Sequence, residues 1–149
     1  MNYYKLVLLV IHLFFSICVF SQDTPPEISV TGNQVYCSDA PISVVTSVSL
    51  TDPADTDLDE VFIQIAEGYE VGQDLLVLGG INPNIVSSWN ESEGVLNLVG
   101  PATFVEFENA IENTFFQTTQ TNFTQNREFT INLGNANYLP STGHYYFYV

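Results

Sequence analysis

From Ile28 to Leu133 the apolar residues fall in short alternating runs, and Gly, Pro, Asn or Asp breaks most runs before a helix could gather its turns. A period of two sends successive side chains to opposite faces of a strand, so such a chain must bury one face of a sheet. The stretch Ser47–Leu76 carries this pattern most fully. Val48 and Leu50 alternate with Ser49 and Thr51, and Asp52-Pro53-Ala54-Asp55-Thr56-Asp57 is a loop by composition. Val61, Ile63 and Ile65 then alternate with Phe62, Gln64 and Ala66. Gly68-Tyr69 and Gly72-Gln73-Asp74 turn the chain into Leu75-Leu76-Val77-Leu78.

The rest of the chain follows suit. Ile28–Thr31 and Gln34–Cys37 read as short strands, and Ile42–Thr51 as one strand with Val44, Thr46, Val48 and Leu50 on one side. Ile85–Asn90 and Val95–Val99 flank Glu91-Ser92-Glu93-Gly94 as a hairpin. One segment departs from the two-residue period. Thr103 and Glu106 have the spacing of a capping box, and Phe104, Phe107, Ile111 and Phe115 recur at helical intervals, predicting a helix over Phe104–Glu112. On it Glu108 and Glu112 stand four apart and are expected to repel, at a cost of a few tenths of a kcal/mol. Phe115–Thr119 and Glu128–Leu133 complete the strands, and Gly134–Gly143 reads as linker. The prediction is an all-β sandwich of about seven to nine short antiparallel strands with one short crossover helix.

The first residues belong to another kind of segment. Lys5 precedes a nearly unbroken apolar run from Leu6 to Phe20, followed by Ser21-Gln22-Asp23. That is the layout of a secretory leader, and the run is short for a membrane span. Residues 1–21 are expected to be a signal peptide, residues 22–134 the sandwich, and residues 135–149 a linker with the truncated start of a second domain. Phe15-Ser16-Ile17 is a poor approach to a lipidated Cys18. Without the leader, one cation, Arg127, remains against 17 acidic residues. Phosphate backbones are held by Lys and Arg, so nucleic acid is excluded as a partner, and anionic membrane surfaces are disfavoured. An extracellular glycan or protein suits such a surface better, and no integral membrane span is expected in the mature chain. Cys37 loses its only sequence partner with the leader and reads as a small hydrophobe or half of a bridge to another segment.

Little in the sequence points to catalysis. The mature chain has a single histidine, His144, and no glycine-rich phosphate loop or zinc-ligand spacing. The aspartates are the candidate site. Asp52, Asp55, Asp57 and Asp59 are hard oxygen donors within eight residues, and Asp74 in the next loop is the natural further ligand for Ca²⁺. They do not spell an EF-hand, because Glu60 stands where that loop needs glycine and Ala66 where it needs a bidentate glutamate. Side chains two apart on a strand lie about 7 Å from each other while calcium holds oxygens at about 2.3–2.6 Å, so the loop would have to curl. The alternative is that Asp52 and Asp55 simply form turns. Asn90-Glu91-Ser92 and Asn122-Phe123-Thr124 match glycosylation sequons.

Taken together, Gly68-Tyr69, Gly72-x-Asp74-x-Leu76, Gly94-x-Leu96-x-Leu98-x-Gly100 and the segment Thr103–Phe116 resemble a cadherin-like repeat of bacterial secreted surface proteins. The resemblance covers about Pro25 to Gly134 as many weak positions without a diagnostic motif. It implies a cadherin-like or Ig-like β-sandwich, often strung in tandem and associated with calcium-assisted adhesion. Such repeats usually end on Asp-Gly, where this chain has Asn132-Leu133-Gly134. The tail from Gly134 looks like the lead-in to a C-type-lectin-like domain of proteins exported by the type IX route, whose sugar loops would follow Val149. The expected function is a non-catalytic adhesion or spacer module at the cell surface or secreted, presenting a downstream carbohydrate- or protein-binding domain. The alternative is an accessory domain of a secreted hydrolase.

Overall fold

A computed structural model describes residues 25–32, 35–36, 40–121, 125–135 and 138–143. The signal-peptide expectation, Cys37 and the Asn122 sequon lie outside the described residues. The strands are β1 Glu27–Thr31, β2 Ile42–Ser43, β3 Ser47–Thr51, β4 Asp57–Glu67, β5 Asp74–Leu78, β6 Val86–Asn90 and β7 Val95–Thr103. Helix α1 spans Phe104–Glu112, followed by β8 Thr114–Thr118, β9 Glu128–Asn135 and β10 Tyr138–Gly143. All pairings are antiparallel: a five-stranded sheet β10-β9-β4-β7-β6, a three-stranded sheet β2-β8-β5, and the pair β1-β3. The chain is an all-β sandwich with one short helix.

β4 is the spine of the large sheet, because it pairs with β7 on one side and β9 on the other. Its Val61, Ile63 and Ile65 are buried with Leu96 and Leu98 of β7 and Phe129, Ile131 and Leu133 of β9. A bulge between Leu58 and Glu60 resets the parity, so Leu58 also turns inward. The second layer supplies Leu76, Phe116, Val44 and Val45. Phe116 of β8 meets Phe129 of β9 edge to face, with centroids 5.5 Å apart, which fastens one layer to the other.

The helix forms as the sequence prescribes. Thr103 is its N-cap, the capping box with Glu106 is closed in both directions, and Phe107, Ala110 and Ile111 are buried. Glu106 also accepts from Asn84 at 2.7 Å. Hydrogen bonds from the Thr103 backbone and hydroxyl, then from Asn84, hold the Glu106 carboxyl below its ordinary pKa. Phe115 falls beyond the helix, half-buried in β8, while its neighbour Phe116 fills the core.

Three expectations are revised. Ile42–Thr51 is two strands, because the chain changes sheets there: β2 pairs with β8 and β3 with β1. Val44 and Val45 are both buried at the crossing, which no alternation could foresee. The Ser43 hydroxyl lies within hydrogen-bond distance of the carbonyls of Val45 and Glu112, with one proton to give, and the Thr46 amide bonds the Thr31 carbonyl. Val35 and Tyr36 are not in a strand. Residues 138–143, read as linker, form β10 against β9, so the described residues hold ten strands.

Glu108 and Glu112 do not merely face each other. The Leu50 amide donates to Glu108 Oε1 at 2.7 Å and the Val48 amide to Glu112 Oε1 at 3.2 Å. With β1 on its other side, β3 is an edge whose free amides are satisfied by the two carboxylates.

Candidate functional site

The predicted metal ligands separate into two groups. Asp52 Oδ1 accepts the amides of Ala54 at 2.7 Å and Asp55 at 3.1 Å, so Asp52 is a turn former. Its Oδ2 is covered and has no hydrogen-bond partner. Asp55 and Asp59 are half-buried, and exposed Asp57 opens β4 and accepts from the Thr56 hydroxyl at 3.1 Å. Asp74 lies elsewhere. The eleven residues of β4 carry the chain about 33 Å from Asp57 to Glu67. Asp74 begins the next strand at that far end, so it cannot share an ion with the other four. Among the described residues no three His, Cys, Asp or Glu side chains come together to hold a metal.

Asp74 has a different occupation. It is 2 % exposed and receives Arg127 Nε at 2.6 Å and Nη2 at 3.3 Å, with Arg127 itself 1 % exposed. Asp74 Oδ2 also accepts the Glu70 amide at 2.9 Å, and Arg127 donates on to Gln120 Oε1 and the Gln125 carbonyl. This buried pair ties the β4–β5 loop to the β8–β9 loop at one end of the sandwich. Gly68 belongs to the same knot, since its φ is +72° and a Cβ there would meet the Asn126 carbonyl oxygen at 2.2 Å. Beside it, Tyr69 donates to the Glu91 carbonyl and meets Trp89 edge to face at 6.0 Å. Burial, then the nearby carboxylates of Glu91 and Asp74, pushes the Tyr69 pKa up, so the hydroxyl stays a donor.

The more open feature is the outer face of the five-stranded sheet. Register places Asn132 of β9 beside Phe62 of β4, Phe62 beside Asn97 of β7, and Asn97 beside Ser88 of β6. Directly opposed residues stand about 5 Å apart, so an amide, an aromatic ring, an amide and a hydroxyl form one row across four strands. The next row carries Gln64, Val95 and Asn90. Together they line a groove of about 580 Å³ with Glu93 at its rim. Trp89 sits on the opposite parity, paired with Leu96, and borders this groove at the sheet edge.

The groove is fixed in shape. Gln64 Nε2 donates to the Glu93 carbonyl at 3.3 Å and Asn90 Nδ2 to Glu93 Oε2 at 2.9 Å, which ties the hairpin loop to the sheet. Asn90 Oδ1 accepts the amide and hydroxyl of Ser92, so the first sequon asparagine is engaged in its own turn. Asn97 and Asn132, by contrast, are half-buried with their Oδ1 atoms covered and without a hydrogen-bond partner. An unpaired covered acceptor costs about 1–3 kcal/mol, and here two such atoms flank one ring. Sequence reasoning missed this site because its members are spread over β4, β6, β7 and β9; the only local sign is an aromatic at an outward position of β4.

Among the described residues no helix is long and apolar enough to cross a membrane. Comparison with family models, curated proteins and solved structures gives no match for this chain.

Proposed function

We propose that this chain is a non-catalytic extracellular adhesion or spacer module, secreted or held at the cell surface, that takes a glycan or protein ligand on the outer face of its large sheet. The groove around Phe62 carries this reading. It sits on strands rather than loops, so its side chains are held in place before a ligand arrives. It combines an aromatic surface with a few polar groups, the usual make-up of a ligand site. Its one carboxylate, Glu93, is already bonded to Asn90, whereas acid–base hydrolysis of a glycoside takes a pair. The cadherin-like resemblance and the leader-like start agree with a surface setting.

The test compares retention of the chain and of Phe62→Ser on immobilised extracellular polysaccharides and matrix proteins. Saturable retention on one such surface, weakened about tenfold or more in Phe62→Ser at an unchanged melting midpoint, is the expected result. Equal retention of the two proteins would remove the outer face from the proposal. No retention on any surface would leave a passive spacer.

A further inference from the structure

We propose that the Phe62 groove binds a neutral oligosaccharide, stacking one sugar ring on Phe62 and hydrogen-bonding its hydroxyls to Asn97 and Asn132; this rests on the outer face being the binding surface. The lining decides among ligand classes. It contains no Lys or Arg, and the whole chain carries a formal charge of −15, so an anionic ligand meets only repulsion. A cationic ligand would find one carboxylate, Glu93, whose Oε2 already accepts from Asn90. A purely apolar segment would seal the amides of Asn97 and Asn132 and the Ser88 hydroxyl away from water with nothing to bond. What remains is a ligand with an apolar face and many neutral hydroxyls.

A pyranose has both. Its electropositive C–H face suits the electron-rich face of a phenyl ring. Each hydroxyl donates and accepts, matching amides that do the same. The terminal torsion of asparagine is broad, so a small turn brings either end of the amide to a hydroxyl entering beside Phe62. The row from Asn132 to Ser88 crosses four strands and runs about 14 Å, long enough for a short chain of sugars rather than one ring.

The experiment is titration calorimetry of the full chain against soluble neutral oligosaccharides of glucose, galactose, mannose and xylose, each beside its carboxylated counterpart. At least one neutral sugar is expected to bind, with little dependence on salt, and its carboxylated form to bind about tenfold or more weakly. Phe62→Trp should keep or strengthen binding, whereas Phe62→Leu, equally apolar but without a π face, should lose about tenfold or more. Asn97→Ala should weaken binding while the melting midpoint stays within a few degrees.

Binding that ignores Phe62→Leu and Asn97→Ala would overturn the site. If no neutral sugar binds while the chain is retained on a protein surface through Phe62, the saccharide falls and the outer-face reading stands. If neither sugar nor surface responds to Phe62, both fall.

Discussion

Arg127 matters to this molecule out of proportion to its number. Buried with Asp74, it is satisfied by a carboxylate, an amide oxygen and a carbonyl, so removing it strands a charge in the interior. Breaking one side of such a pair costs about 3–5 kcal/mol, whereas replacing both partners by apolar residues of similar volume is much less costly. Arg127→Met should therefore lower the unfolding free energy in urea by that amount. Asp74→Leu combined with Arg127→Met should recover part of it, the shortfall reflecting the Glu70 amide left without its acceptor. A double variant that loses the sum of what Asp74→Leu and Arg127→Met lose singly would mean that the pair does not couple. In the sequence Arg127 reads as a remaining charge and Asp74 as a metal ligand. The two are 53 residues apart, and nothing local to either announces the other.

The elements divide along the same line between local and distant causes. The helix was legible because its signals lie within one turn: Thr103 and Glu106 close the cap and the apolar spacing names the buried face. The Glu91–Gly94 hairpin was legible too, since β6 and β7 pair directly across it. The break between β2 and β3 was not, because it depends on which sheet each half joins. Nor was the use of Glu108 and Glu112, which finish the edge of β3 from a helix about sixty residues later in the chain. Glu108→Ala should leave the Leu50 amide unpaired and cost about 1–3 kcal/mol, while Glu108→Gln keeps an acceptor oxygen and should lose much less. Urea unfolding measures the cost, and faster hydrogen exchange at the Leu50 amide locates it. A Glu108→Ala protein as stable as the parent would reduce these contacts to surface decoration.

At the scale of the whole molecule, alternation was enough to read a sandwich, because burying one face of many short strands has few solutions. It was not enough to read a site, which depends on how far strands carry their ends and which rows they align. The aspartates show the difference. Along the sequence Asp74 follows Asp59 closely; in the fold, the rest of β4 carries the chain away and puts Asp74 at the opposite end, bound to Arg127. A calcium ion would have to rely on Asp52, Asp55, Asp57 and Asp59 alone, with Asp52 Oδ1 already serving its turn. The melting midpoint in excess Ca²⁺ is therefore expected to match that in EDTA. An ion bound only by the native state at about a hundred times its Kd would add about 2.7 kcal/mol, a shift of several degrees for a domain of this size. A rise of that order, abolished by Asp57→Asn, would mean that the loop curls around an ion after all and that calcium stiffens the end of the sandwich remote from Arg127. A rise that survives Asp57→Asn would place the ion elsewhere on the acidic surface.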